Sequence, residues 1–325
     1  MARKVCNFIL SFAILSCPTA ICGSMPTNLI RKGQQIEVFI GGHPFTTFHF
    51  DAAVAKPYMS PLRSAQGTIV TRGFPMITNI PGEDRDEPHQ RAMYFAHGDV
   101  NGYDFWGEAA FPHWSRTPVS RFGRTVFRKI DQVQEGPESG NVQADFDLVT
   151  QDGRVIASET QAYVFRGDEL TRFIDCEFTI RADHGSLKIG DTKEGALAIR
   201  VVKGLDSPPG HMVNSNGALG EKGVWGKRAD WVDFYGQVGG EEVGIAVFDH
   251  PGNLRHPTCW HARRYGLLAA NPFGLREFTH DRHQDGSYTI QPGESLTLRY
   301  RVLIHHGDVD QAGVAEAYRE YAGGQ

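Results

Sequence analysis

Proton transfer near neutral pH is most readily done by histidine, and the 14 histidines of this chain are unevenly spread. One group opens at Pro81-Gly82-Glu83-Asp84-Arg85-Asp86-Glu87-Pro88-His89-Gln90-Arg91 and continues through His97-Gly98-Asp99 to Trp106-Gly107-Glu108. There His89 and His97 can act as general acid or base, and Glu108 can orient them or accept a proton. Arg85 and Arg91 can hold a carboxylate or steady an oxyanion, and Trp106 can stack on a sugar face. A second group runs from His211 through Asn216 to Trp225-Gly226-Lys227-Arg228 and Trp231. His211 adds a proton donor or acceptor, and Lys227 and Arg228 between two tryptophans suit an anionic or hydroxyl-rich ligand. The third group places Asp249, three histidines (His250, His256, His261), three arginines (Arg255, Arg263, Arg264) and Trp260 within 16 residues. Buried charge is costly unless paired, so such density implies a wet cleft, a bound ion or a polar ligand. Asn271 follows this group, and Gly190-Asp191-Thr192-Lys193-Glu194-Gly195 forms a shorter polar stretch whose Asp191, Lys193 and Glu194 can face the same cleft.

Plainer readings stand beside these. Asp84, Arg85, Asp86 and Arg91 can form a surface ion network, and the histidines can cap turns. Gly190 to Gly195 reads first as a hairpin connection, and His305-His306 reads as a strand end. His250, His256 and His261 can bind a metal, but they lack the helical i, i+4 spacing or fixed Cys/His spacing of familiar sites. No cofactor is required by any motif.

These residues need elements to hold them, and the surrounding sequence reads as strands. Ile36 to Ile40 ends at Gly41-Gly42; Thr46 to Phe50, Lys56 to Leu62 and Thr68 to Thr71 follow. The clearest hairpin alternates Val142, Ala144, Phe146 and Leu148 with polar residues, turns at Asp152-Gly153, and returns over Val155 to Phe165. Leu170 to Arg181, Ala196 to Val202, Val243 to Phe248 and Leu296 to Ile304 are further strands. Asp310 to Tyr321 is the one good helix pattern, stopped by Gly323-Gly324. This predicts an all-β fold: a large antiparallel β-sandwich with a short C-terminal helix. Three stretches, residues 80–108, 207–232 and 249–274, show little alternation. They are rich in Trp, His, Arg and Phe, so they are expected to be ordered loops lining one site.

Composition agrees. The chain has 325 residues with 37 Gly, 17 Pro and 20 Phe, which suits a glycine- and aromatic-rich β body. A net charge of -5 argues against an electrostatic grip on nucleic acid. Arg3 and Lys4, the apolar run Val5 to Cys17, and the small residues through Cys22-Gly23-Ser24 have the order of a secretory signal. Residues 1–24 are therefore expected to be a signal peptide and 25–325 a single β-sandwich domain. Export would be to the periplasm or beyond, with a lipid anchor through Cys17 as an alternative. No segment is long and apolar enough for an integral membrane span. Cys176 and Cys259 stand alone in the body, either as one disulfide or as two buried thiols.

The motifs together resemble a family of secreted bacterial proteins labelled PmoA-like. The resemblance is carried by Pro57-Tyr58 with Pro61-Leu62, Thr71-Arg72-Gly73, Pro81-Gly82-Glu83-Asp84-Arg85 and Phe95-Ala96-His97-Gly98-Asp99-Val100-Asn101-Gly102. It continues in Gly190 to Gly195, Trp225-Gly226-Lys227-Arg228, Phe248-Asp249-His250-Pro251 and Ala270-Asn271-Pro272-Phe273-Gly274. Gln90 departs from it, because the family pattern has a second histidine after His89. The label borrows from a methane monooxygenase subunit that is a multi-span membrane protein, whereas this chain has one short apolar signal and a β body, so that activity is not expected. More distantly, Ile290-Gln291-Pro292-Gly293-Glu294 with the strand after it, and His97-Gly98, resemble the galactose-mutarotase-like supersandwich. That resemblance implies a carbohydrate ligand. The expected function is an exported carbohydrate-active protein using histidine acid–base chemistry as a lyase, epimerase or hydrolase. A non-catalytic sugar-binding protein and a metal-dependent hydrolase or oxygenase are the alternatives.

Overall fold

The computed structural model describes residues 23–115 and 119–324. The expected signal segment and Cys17 lie almost wholly outside these residues. Among the described residues no helix is long and apolar enough to cross a membrane.

Two eight-stranded antiparallel sheets face each other. The first runs, in spatial order, Thr27–Lys32, Gln35–Ile40, His43–His49, Tyr58–Met59, Met93–His97, Gly195–Arg200, Leu267–Asn271 and Cys259–Arg263. The second runs His211–Asn214, Trp231–Val238, Glu241–Asp249, Ser295–His306, Thr171–Arg181, Val155–Gly167, Gly140–Thr150 and Gly123–Gln134. Two strands of the second sheet alternate as their sequence does, while Trp231–Val238 and Glu241–Asp249 are buried over most of their length. Gly140–Thr150 and Thr171–Arg181 each bury every second residue, which is the period of a sheet with one wet face. Gly140–Thr150 turns into Val155–Gly167 at Asp152-Gly153, where Gly153 takes a φ of 85° that a side chain would resist. Between the sheets Phe95 lies flat on Phe178, with centroids 4.0 Å apart and planes within 5°.

The first sheet behaves differently. Met93–His97, Gly195–Arg200 and Leu267–Asn271 are buried at every position. Their inner side chains, such as Phe95, Leu197, Ile199 and Leu268, join the inter-sheet core. Tyr94, Ala96, Ala198, Leu267 and Ala269 point the other way and form a second apolar layer with Tyr58 and Trp106. A strand covered on both faces has no reason to alternate. This corrects the expectation of three strandless stretches. Residues 80–108 contain Met93–His97, residues 207–232 contain His211–Asn214 and the short helix Gly220–Val224, and residues 249–274 contain the last two strands of the first sheet. Lys56 to Leu62 shrinks to Tyr58–Met59, and Thr68 to Thr71 makes only isolated bridges.

The C-terminal helix is Val314–Gly323, starting after Gly313. It covers part of the outer face of the second sheet, where Val314 and Tyr318 pack with Trp231, Phe248 and Leu303. Cys176 and Cys259 are both buried and free. Burial raises both thiols above their ordinary range, Cys176 far above it. Neither is expected to react with a thiol reagent in the native protein, and both should titrate once denaturant is added.

Candidate functional site

The outer face of the first sheet carries the site. Along Cys259–Arg263, His261 and Arg263 are two apart and point to this face. Beside them runs the turn Thr192-Lys193-Glu194. It is fixed from several sides: Asn271 Nδ2 donates to Thr192 O at 3.0 Å, Glu277 Oε2 accepts the Lys193 N–H at 2.7 Å, and Glu194 O accepts the Gly98 N–H at 2.7 Å. Opposite lies the segment 83–91, which two buried arginines hold down. Arg72 donates to Glu87 O and Gln90 O, both at 2.9 Å, and Arg200 donates to Gln90 Oε1 at 2.6 Å. The two arginines share Asp86 Oδ1 at 2.9 and 2.7 Å. Within this clamp Glu87 sits at a φ of 42°, a conformation that a non-glycine residue holds only when its surroundings impose it.

Glu87, His89, Gln90, Trp114, Lys193, Glu194, His261, Arg263 and Tyr265 together line a small cavity of about 60 Å³. Glu87, His89, Glu194 and His261 are each at least 95 % buried. His89 Nε2 lies 3.7 Å from Glu87 Oε2, and His261 Nδ1 lies 3.8 Å from Glu194 Oε2. Lys193 Nζ pairs with Glu194 at 3.2 Å and with Glu277 at 3.0 Å. Burial alone would lower the Lys193 pKa, but the two carboxylates outweigh it and raise it, so the ammonium persists. Burial pushes His261 down to about 3, helped by the charges of Lys193 and Arg263. His261 is therefore a neutral imidazole at pH 7. Its Nδ1 is 3.1 Å from Lys193 O, a group that can only accept, so the ring proton sits on Nδ1 and Nε2 offers a lone pair. The arrangement joins two carboxylates, a fixed neutral imidazole and a second histidine, which together can give and take protons.

A wider groove of about 530 Å³ adjoins the cavity, lined by Glu221, Lys222, Trp225, Lys227, Arg263, Arg264, Phe278 and His280. Arg263 belongs to both walls.

Of the residues expected from sequence, His89, Lys193, Glu194 and His261 meet in the cavity, and Lys227 lines the groove. His97, His211 and His250, expected in the same site, lie elsewhere. His97 points to the inter-sheet side: its Nε2 donates to Gly190 O at 2.8 Å, its ring meets Phe273 edge-on, and burial lowers it to about 4. Gly195 must be glycine, since a Cβ there would lie 2.4 Å from His97 Nδ1. His211 is exposed on the edge strand of the second sheet, stacked on Tyr235. His250 accepts the Gly252 N–H and meets Tyr321 near the C-terminal helix.

Others brace loops rather than face the cavity. Asp249 accepts from His256 Nδ1, Asn253 and the Thr258 N–H; its pairing, ahead of the opposing effect of burial, raises His256. Asp191 accepts the N–H groups of Arg276 and Gly286. Arg228 donates to Arg255 O and Pro257 O, while Arg255 donates to Pro272 O, Gly286 O and Ser287 O. Asn216 reaches Arg228 O, and Arg85 reaches Thr78 O. Asn271 is a positioning residue for Thr192. Trp106, Trp231 and Trp260 are at least 93 % buried in packed layers, so none is a stacking platform. Glu108 and Arg91 pair with each other beneath Trp106. His250, His256 and His261 are not gathered, and among the described residues no group of three metal-ligating side chains exists.

Sequence reasoning missed Glu87, Gln90, Trp114, Arg263 and Tyr265 as site residues. Recognising Cys259–Arg263 as a strand would have put Arg263 on the face of His261. Gln90, where the PmoA-like pattern differs, anchors Arg200 rather than facing a ligand alone.

The family profile that matches residues 35–319 decides membership. The chain belongs to the DUF6807 family, a family of unknown function. Among curated proteins none matches this DUF6807 chain. Among solved structures, it is similar to the family-36 α-galactosidase AgaA of Geobacillus stearothermophilus, with 10 % identity over 91 % of this chain and 43 % of that one, at a TM-score of 0.45. An α-galactosidase of Lactobacillus brevis gives 8 % identity over 88 % and 40 %, at 0.42. A galactose mutarotase related enzyme of Lactobacillus acidophilus gives 8 % over 87 % and 98 %, at 0.33. The DUF6807 chain thus spans less than half the length of the α-galactosidases it matches.

Proposed function

We propose that this protein is an exported carbohydrate-active enzyme that moves protons at a sugar in the cavity of Glu87, His89, Glu194 and His261. One observation carries the reading: two buried carboxylates and two buried imidazoles face one cavity that opens beside a polar, aromatic groove. The cavity admits only a small part of a ligand, such as one hydroxyl-bearing carbon, while the groove has the volume of a ligand site. Glu194 is the base, held beside Lys193; His261 Nε2 accepts a substrate hydroxyl; His89 with Glu87 supplies the second proton exchange. Export is supported by the charged start, apolar run and small residues of the first 24 positions.

The test is turnover of an oligosaccharide panel by wild type and variants. Glu194→Gln and His89→Gln should each lower kcat/KM by at least about 100-fold. His211→Ala, exposed on the other sheet, should stay within about twofold. A wild type that binds oligosaccharides but turns none over removes the catalytic claim and leaves a sugar-binding protein.

A further inference from the structure

We infer that the groove beside the cavity is a subsite for an anionic sugar unit, so that the ligand is an acidic oligosaccharide. This rests on the proposed sugar chemistry of the adjoining cavity. The groove is cationic beyond its own needs. Lys222, Lys227, Arg263 and Arg264 line it against one carboxylate, Glu221. That carboxylate is already engaged: Oε1 lies 3.3 Å from Arg263 Nη1, and Oε2 accepts the Arg264 backbone N–H at 2.7 Å. Among the described residues neither Lys222, Lys227 nor the Arg264 guanidinium has a carboxylate within ion-pairing distance, so each is available to an incoming anion. This local excess stands on a chain of net charge -5 and is not a by-product of a basic protein.

The wall between the cations is aromatic. Trp225 lies against His280 with centroids 5.3 Å apart and planes at 28°, and Phe278 meets Trp225 edge-on at 76°. A pyranose ring bearing an anionic group matches such a wall, with the ring against the aromatic surface and its charge among the lysines and Arg264. Arg263 lines both spaces, so one ligand can lie in the groove and present its next carbon to Glu194 and His261. A polyphosphate is disfavoured, because nucleic acids are gripped by an extended basic stripe and these cations are confined to one groove.

The experiment titrates the full chain with oligogalacturonate, a sulfated oligosaccharide, a neutral oligosaccharide of equal length and single-stranded DNA. It uses wild type, a Lys227→Gln/Arg264→Gln double variant and Glu194→Gln. The expected result is binding of a charged glycan that is at least roughly tenfold weaker for the neutral one and for the double variant, and that weakens with salt. Whichever of uronate or sulfate ester binds identifies the anion. Glu194→Gln should keep this binding while losing turnover. Equal binding of neutral and charged glycans, an unaffected double variant, or equally tight DNA binding overturns the inference. Turnover of a neutral sugar that depends on Glu194 but not on groove charge removes the anionic subsite alone. Intact charged-glycan binding without any turnover removes the catalytic reading alone.

Discussion

Replacing Glu108 by glutamine is expected to destabilise the protein by about 3–5 kcal/mol, the cost of stripping a buried ion cluster of its counter-charge. Glu108 is the carboxylate that pairs with both Lys56 and Arg91. Arg91 grips it in a fork at 2.9 and 3.0 Å, and Lys56, with no exposed surface, reaches it at 3.2 Å and the Trp106 carbonyl at 2.7 Å. The two partners respond differently. Burial lowers the Lys56 pKa more than Glu108 can restore it. Burial pushes Glu108 upward, but Lys56 and Arg91 together outweigh that and leave it below its ordinary range. Glutamine keeps the shape and removes the charge, leaving Lys56 stranded. Urea unfolding at pH 7 measures the loss, and adding Lys56→Met should recover a large part of it. A loss below about 1 kcal/mol would mean that the cluster is neutral overall.

The pH dependence gives a second check. A carboxyl with a depressed folded pKa contributes stability that is present above its unfolded pKa and lost as pH falls through the folded one. Wild type should therefore lose stability below about pH 4.3, the unfolded glutamate value. Glu108→Gln should lack that acid component. Its deficit should also shrink at alkaline pH, where the stranded Lys56 can shed its proton. The consequence reaches the site, since Trp106 rests on this cluster and packs against Tyr94 and His89.

This cluster also shows what the sequence makes legible. Much of the second sheet was readable, because one wet face imposes alternation on Gly140–Thr150 and Thr171–Arg181, but Gly123–Gln134, His211–Asn214 and Trp231–Val238 were not read as strands. In the first sheet Gln35–Ile40, His43–His49 and Gly195–Arg200 were readable, but Met93–His97 and Leu267–Asn271 were not, because they are covered on both faces and carry no period. The site follows the same division. His89, Glu194 and His261 could be picked out by residue type, but spacing could not say that Glu194 belongs with His261 and not with His97. Glu194 and His97 lie close through the Gly98 N–H, yet the strand pleat turns His97 to the opposite side of the sheet. Residue density in 249–265 was read as catalytic potential. Much of it is loop bracing, since Asp249 and Arg255 spend their hydrogen bonds on backbone and neighbouring side chains.

Glu159 extends the electrostatic argument to the inter-sheet core, with the opposite sign. It lies on Val155–Gly167, on the side of Ala157, Tyr163 and Phe165, which pack between the sheets. Gln161 Nε2 donates to Glu159 Oε1 at 2.6 Å, and Gln161 Oε1 accepts from the Tyr163 hydroxyl at 2.7 Å. Among the described residues no cation pairs with it, and burial raises Glu159 to about 7, with the Gln161 bond only partly opposing. Between the unfolded value near 4.5 and the folded value, the native state holds the extra proton. Stability therefore falls as pH rises across that window and levels off above pH 7. The full difference is about 3 kcal/mol at 1.36 kcal/mol per pKa unit. Glu159→Gln keeps an acceptor for Gln161 and removes the ionisation, so it should be more stable than wild type by up to about 3 kcal/mol at pH 8 and nearly equal to it at pH 4.5. Thermal melts of both proteins across that range measure the gap. A gain that does not change with pH would assign it to packing and not to the carboxyl charge, while a loss at pH 8 would mean that the glutamine cannot satisfy the Gln161–Tyr163 chain.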